Sequence, residues 1–169
     1  MPIVGFAVAP TFIGQGDDDI DLGPLDNFPE GEWRVAKFTS VIEQGQVSER
    51  AAFVRHNGLA NDVPSFTILS SRCVHVGCPT RPAGKVDEEN AVDVELEGKP
   101  PVKLIPAQAS GFNCPCHGGS YDEEGNRLAG PPVRALDRYS YKIVGGNLVL
   151  AERFSVGKVI GTGAEAQIE

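Results

Sequence analysis

The chain has 169 residues, of which 41% are hydrophobic and 22% are charged. This composition supplies one hydrophobic core and excludes a disordered chain. Its formal net charge of −8 disfavours nucleic acid and anionic membrane surfaces as partners, and favours a basic protein.

The first thirty residues divide into an apolar stretch and an acidic stretch. Residues 2–13 are apolar but too few to cross a bilayer. They are therefore either an edge segment or the outer end of a membrane anchor, and the anchor is the interpretation we favour. Residues 14–29 are acidic and rich in Gly and Pro, which predicts a flexible tether.

From Glu32 onward, short β-rich segments alternate with Gly, Pro or Asn-Gly. Gly145-Gly146 between two such segments predicts a two-residue hairpin. The best helical candidate, residues 42–50, is weak. The pattern predicts an all-β fold, an antiparallel β-sandwich or barrel. The predicted strands are residues 33–38, 51–54, 66–69, 92–96, 102–105, 139–144 and 147–150.

Two short motifs contain all of the cysteines and two of the three histidines. The first motif, C-V-H-V-G-C, covers residues 73–78, and the second, C-P-C-H-G-G-S-Y, covers residues 114–121. Each offers two cysteines and one histidine, with glycine to let the backbone turn around a ligand. The turn-rich region around them, residues 72–133, predicts a small subdomain whose order depends on a bound group.

Three kinds of site are compatible with these residues. Two disulfides would leave both histidines without a role. A tetrahedral zinc site with two cysteines and two histidines is chemically reasonable. Zinc would leave two cysteines unexplained, and neither motif has the Cys-x-x-Cys spacing common in zinc folds. An iron–sulfur cluster is the third possibility.

The two motifs resemble those of the Rieske iron–sulfur proteins, C-T-H-L-G-C and C-P-C-H-G-S-x-Y. The segment Gly130-Pro131-Pro132 is similar to the proline segment that covers the cluster in that family. The resemblance is specific over residues 73–132, and on either side it rests on a compatible β pattern.

The resemblance implies one 2Fe–2S cluster and its ligands. By the family pattern, Cys73, His75, Cys114 and His117 hold the cluster. A disulfide between Cys78 and Cys116 distinguishes the branch of the quinol-oxidising cytochrome bc complexes and of the arsenite oxidase small subunit from ring-hydroxylating oxygenase ferredoxins.

Around these ligands the sequence departs from the family. Tyr121 matches the tyrosine whose hydroxyl donates to a cysteine sulfur. The family's serine, two positions after the second histidine, is Gly119, and the side chain of Ser120 is expected to point elsewhere. One hydrogen bond that stabilises the reduced cluster is then missing, so we expect a potential in the lower part of the Rieske range and favour menaquinol as donor. Val76 replaces leucine as the apolar wall beside the cluster.

The implied function is one-electron, proton-coupled transfer from a quinol, met at His75 and His117, to a c-type cytochrome. The partners would include a cytochrome b subunit, and the place would be the outer face of a bacterial cytoplasmic membrane. The alternatives are an arsenite-oxidase-like small subunit and a zinc-stabilised binding module without a redox role.

The expected organisation is an anchor end and tether over residues 1–30, the main domain over 31–156 and a fraying surface tail over 157–169. The acidic stretch 81–110 is expected to be a solvated excursion rather than a partner-facing hairpin. His56 and Trp33 are expected to be structural.

Overall fold

The computed structural model describes residues 19–42 and 46–169; residues 2–13 and the start of the predicted tether lie outside these ranges. No helix in these ranges is long and apolar enough to cross a membrane. Short 3-10 turns cover Leu25–Asn27, Glu88–Asn90 and Gly163–Glu165. The strands are β1 Ile20–Pro24, β2 Trp33–Ile42, β3 Gln46–Ala60, β4 Val63–Ser70, β5 Arg81–Pro82, β6 Val92–Val94, β7 Val102–Ala107, β8 Phe112–Asn113, β9 Ser120–Tyr121, β10 Arg127–Ala129, β11 Arg138–Val144, β12 Asn147–Phe154, β13 Val159–Ile160 and β14 Gln167–Ile168.

Eight strands form an antiparallel base sheet in the order β1-β12-β11-β4-β3-β2-β7-β6. Its two edge strands approach one another: a Cβ on Gly23 of β1 would lie 2.7 Å from Cγ1 of Val94 on β6. Lys99, beyond β6, donates to the Asp21 carboxylate at 2.7 Å. The sheet is therefore a nearly closed barrel, and the all-β prediction is confirmed.

The central strands of this barrel are buried on both faces. Val35 pairs with Phe53 and Ala36 with Ala52, so successive side chains point to opposite faces. Ala36 and Ala52 belong to the barrel interior, whereas Val35 and Phe53 belong to a second apolar cluster outside it. Phe112 of β8 stacks on Phe53 with ring centroids 4.4 Å apart. This second cluster joins the base to the smaller sheet.

The smaller sheet, in the order β10-β9-β8-β5, carries the two cysteine–histidine motifs at its ends. The stretch 81–110 does not behave as a solvated excursion throughout. It leaves the small sheet after β5, and its β7 returns to pair with β2 in the base. Leu104 and Ile105 of β7 face opposite sides of the base sheet. Both are buried, because Leu104 packs in the barrel interior and Ile105 packs in the second apolar cluster.

The helical candidate over residues 42–50 is wrong, because Gln46 begins a β-strand that continues to Ala60. The Asn57-Gly58 pair also does not end this strand, but forms a bulge at which the β3–β4 register shifts. The turn is made by Asn61 and Asp62, both with positive φ. Asn and Asp tolerate this left-handed backbone better than most residues, which suits them to the hairpin.

The second half of the predicted tether is part of the barrel. Leu22 of β1 and Phe28 are 0% and 2% exposed. Asp19 and Asp21, which the sequence suggested were solvated, accept from Lys142 and Lys99. Burial of two apolar side chains and pairing of two carboxylates explain why this acidic stretch is ordered.

The predicted fraying tail, residues 157–169, is folded. β13 pairs with β14, and Val156 and Val159 are buried against Ala135. Asn126 fixes the segment through its side chain, which donates to the Val159 carbonyl at 3.0 Å and accepts from the Val159 amide at 2.8 Å.

The structural assignments of Trp33 and His56 agree with the structure. Trp33 is 5% exposed and meets the Phe112 ring edge-on at 5.1 Å. His56 lies within β3, where its ring stacks on Phe66 and Nδ1 is 3.0 Å from the Phe28 carbonyl oxygen.

A buried carboxylate ties the small sheet to the base. Glu124, just after β9, is 4% exposed and accepts from Arg55 of β3 and from Arg138 of β11. The Gly163 amide also donates to it at 3.1 Å. Burial alone would raise the pKa of Glu124, but these donors outweigh that effect and hold the pKa below its usual value.

We expect Glu124→Gln to lower the free energy of unfolding by about 3 kcal/mol, because it leaves buried guanidinium groups uncompensated. Since the folded pKa is depressed, the contribution of Glu124 is present above the unfolded-state pKa and is lost as pH falls through the folded one. Urea unfolding at several pH values measures both. Glu123→Gln, at a 54% exposed side chain, is the matched control and should change stability little. A stability difference that stays constant into the acid range would contradict this role.

Candidate functional site

The first motif forms a closed loop between β4 and β5. The Cys73 amide donates to the Cys78 carbonyl at 2.8 Å, and the Gly77 amide donates to the Cys73 carbonyl at 2.9 Å. Gly77 has φ +80°, which favours glycine at this turn. Arg72 donates from its guanidinium to the Gly77 carbonyl at 3.1 Å and braces the loop from behind.

The second motif forms a loop of the same design between β8 and β9. The Cys114 amide donates to the Gly119 carbonyl at 2.7 Å, and the Gly118 amide donates to the Cys114 carbonyl at 3.2 Å. Gly118 has φ +77°, matching the glycine of the first loop. Each loop is thus closed around a cysteine by the same pair of hydrogen bonds.

The two loops meet with their histidines outward and two of their cysteines inward. The rings of His75 and His117 are perpendicular, with centroids 5.0 Å apart, and both residues are exposed. Cys73 and Cys114 are free thiols, only 3% and 4% exposed. Two buried sulfurs beside two neighbouring imidazoles are a donor set that fits a 2Fe–2S cluster of mixed ligation.

A disulfide joins the loops. Cys78 and Cys116 are bonded across a sequence separation of 38, with their Cα atoms 6.5 Å apart. The Cys114 sulfur lies within 4.8 Å of both disulfide sulfurs. These three sulfurs do not form a metal site of their own, because bonded sulfurs carry no thiolate charge.

Tyr121 lies beneath the first loop and is 1% exposed. Its hydroxyl oxygen is 3.2 Å from the Cys73 sulfur and accepts from the Val74 amide at 3.3 Å. Burial, and then the hydrogen bond with Cys73, raise the pKa of Tyr121 above its ordinary value. The hydroxyl therefore keeps its proton at neutral pH and lies within hydrogen-bond distance of the sulfur.

The segment Gly130-Pro131-Pro132 packs onto the second loop. A Cβ on Gly130 would lie 2.6 Å from the Gly118 carbonyl oxygen, so this contact requires glycine. A Cβ on Gly119 would lie 2.8 Å from Cγ and 3.2 Å from Cδ of Pro132. Pro132 therefore fills the space that a side chain at position 119 would occupy.

Sequence reasoning missed part of the surface around the loops. The sequence pointed to Val76, which is 62% exposed, as the apolar residue beside the cluster. Leu128 and Val133 are also exposed, at 61% and 88%, and had not been predicted to belong to this surface. Both lie near the ends of the covering segment in the sequence. The bracing role of Arg72 was also missed, because its position before Cys73 gives no local signal of it.

The sequence profile of the Rieske [2Fe-2S] domain matches residues 32–140. The chain is similar to the cytochrome b6-f complex iron-sulfur subunit of Chlorobaculum tepidum, at 25% identity over 89% of this chain, and spans 62% of that subunit's length. It is also similar to the menaquinol:cytochrome c reductase iron-sulfur subunit of Bacillus subtilis, at 28% identity over 90% of this chain and 78% of that protein.

A solved structure, the cyanobacterial plasma membrane Rieske protein PetC3 from Synechocystis PCC 6803, aligns with a TM-score of 0.43 and 20% identity over 79% of this chain and 99% of that chain. The profile covers most of the described chain and both motifs. The chain belongs to the Rieske [2Fe-2S] family, and its cofactor is a 2Fe–2S cluster.

Proposed function

We propose that this chain is the iron–sulfur subunit of a quinol:cytochrome c reductase. In this proposal Cys73, His75, Cys114 and His117 hold the cluster. The observation that carries it is the arrangement of the loops, with two buried free thiols and two exposed imidazole rings 5.0 Å apart. When bound, the cluster would take up and give up one electron. Two neutral imidazole ligands in place of two anionic thiolates make the addition of that electron more favourable.

The exposed histidines are the contact point for the electron donor. A histidine that ligates through one ring nitrogen keeps the other free to accept a hydrogen bond from a quinol hydroxyl and then its proton. His75 and His117 both lie at the surface, where such a donor can reach them. Val76 supplies exposed apolar surface beside them for the quinone ring.

The buried side of the site tunes the potential. A Cys73 thiolate bound to iron would have no proton, so Tyr121 would be the donor in their contact, and that bond would strengthen as negative charge accumulates on the sulfur. Gly119 provides no hydroxyl for a second bond. The potential then lies in the lower part of the Rieske range, which suits menaquinol, the donor named for the Bacillus subtilis relative.

The partners in this proposal are a cytochrome b subunit and a c-type cytochrome, as in complexes of the kind that the relatives' names describe. The Cys78–Cys116 disulfide supports an oxidising compartment, which in a bacterium is the outer side of the cytoplasmic membrane. A membrane anchor of which residues 2–13 are the outer end would hold the domain there.

Redox titration of the iron-loaded protein, followed by EPR from pH 5 to 10, tests this function. We expect a midpoint in the lower part of the range of roughly −150 to +300 mV. The midpoint should be constant in acid and fall in alkali by about 59 mV per pH unit for each proton released. A midpoint that ignores alkaline pH would contradict proton uptake by the histidines, and zinc in place of iron would contradict the whole proposal.

A further inference from the structure

A cavity of about 620 Å³ lies between the base sheet and the first cysteine–histidine loop. Val35 of β2, Phe53 of β3 and Ile105 of β7 lie beneath it and are almost fully buried, whereas Ala51, Pro79, Pro82 and Val86 supply its accessible apolar surface. Residues 71–72 and 79–82, which flank the loop, line the opposite side. Neither His75 nor His117 lines this cavity, so it is separate from the cysteine–histidine site.

The cavity is cationic although the protein is acidic. The net charge of the chain is −8. Four basic side chains line the cavity against two acidic ones: Lys37, Arg50, Arg72 and Arg81 against Glu49 and Glu88. Lys37 and Glu88 face each other at 3.6 Å, which leaves three arginines and one carboxylate.

These three arginines differ from most others in the described part of the chain. Five arginines lie within 4.0 Å of a carboxylate, namely Arg34, Arg55, Arg134, Arg138 and Arg153. Within residues 19–42 and 46–169, Arg50, Arg72 and Arg81 have no such ion pair. Arg72 uses one nitrogen on the Gly77 carbonyl, and Nε of Arg50 is buried without a hydrogen-bond partner. Because a guanidinium has five N–H donors, the cavity wall holds donors that these residues leave unused.

We propose that this cavity binds the head of an anionic amphiphile, a carboxylate or phosphate group attached to an apolar chain. The guanidinium fork matches the oxygen geometry of both anions. The accessible apolar side chains of Ala51, Pro79, Pro82 and Val86 give the attached chain a surface on which to bury methylene groups. A bare inorganic anion would leave these four apolar side chains in contact with water, and a neutral apolar molecule would leave the arginines unpaired.

Calorimetric titration of the intact, cluster-loaded protein tests the proposal with octyl phosphate and octanoate as probes. Both should bind with one-to-one stoichiometry and at least tenfold more tightly than inorganic phosphate, and octyltrimethylammonium should not bind. Arg81→Gln should weaken octyl phosphate at least tenfold, as expected when a charge-assisted hydrogen bond is lost. Arg153→Gln, an exposed arginine of β12 outside the cavity, is the matched control and should leave the affinity unchanged.

Vesicles distinguish a membrane lipid from a soluble amphiphile. If the source is a phospholipid, the protein should sediment with phosphatidylglycerol vesicles but not with phosphatidylcholine vesicles, and Arg81→Gln should abolish sedimentation. If the source is soluble, octyl phosphate should bind and neither vesicle should. Equal affinity for octyl phosphate and inorganic phosphate, equal weakening by Arg81→Gln and Arg153→Gln, or absence of binding would overturn the proposal. An unchanged melting temperature and visible spectrum of Arg81→Gln show that any loss of binding is local.

Discussion

Serine at Cys73 or at Cys114 is expected to abolish the 2Fe–2S cluster. Both side chains are buried free thiols, and an alcohol is a far poorer donor to iron than a thiolate. Iron and acid-labile sulfide per chain, together with the EPR signal of the reduced protein, measure the loss. Thermal unfolding of the iron-free variants separates the loss of a ligand from the loss of the fold.

The matched control removes the other two cysteines together. Cys78→Ser combined with Cys116→Ser should keep the cluster, because these sulfurs are already bonded to each other. The double variant should instead lower the free energy of unfolding. For a disulfide that spans a sequence separation of 38, the chain-entropy treatment gives a loss of at most about 4 kcal/mol. The cost should be smaller than that, because the cluster holds the same two loops together. Retention of a full cluster by Cys73→Ser would refute the ligand assignment.

Restoring the family's serine at position 119 should raise the midpoint fully only if Pro132 is also changed. A hydrogen bond to a charged group contributes about 1.5–3 kcal/mol, which for one electron corresponds to about 65–130 mV. Gly119→Ser alone forces Pro132 away, because the new Cβ would lie 2.8 Å from Cγ of the proline. Pro132→Ala removes both of the ring carbons that clash, so the double variant should show the larger rise.

Three variants form a double-mutant cycle with the parent protein, namely Gly119→Ser, Pro132→Ala and the double variant, and Gly119→Ala is the control for the added Cβ. Gly119→Ala introduces the same Cβ without the hydroxyl and should not raise the midpoint. Redox titration at one fixed pH gives the coupling between the two positions. An equal rise from Gly119→Ser and Gly119→Ala would mean that packing, and not the hydrogen bond, sets the potential.

The parts of this fold that were predictable from the sequence are those with local signals. Gly145-Gly146 is the turn between β11 and β12, with Val144 paired to Asn147 as a two-residue hairpin requires. The two cysteine–histidine loops are equally local, because each is closed by hydrogen bonds within six residues. The spacing of the residues within each motif is therefore enough to predict its loop.

The parts that were not predictable depend on distant residues. Asp21 appears solvated in the sequence, and only the fold brings Lys99 to it. Asn57-Gly58 has the composition of a turn, and the pairing of β3 with β4 makes it a bulge instead. Likewise, nothing local shows that Pro132 occupies the space beside Gly119.

The folded segment 156–169 bears on the order in which the protein is made. Its Gly163 amide and its Val159 backbone hold Glu124 and Asn126, in the turn directly after Tyr121. When the ribosome has synthesised both ligand loops, residues 156–169, which hydrogen-bond to this turn, have not yet been made. We therefore expect this turn to form its last hydrogen bonds only after residues 156–169 have been made.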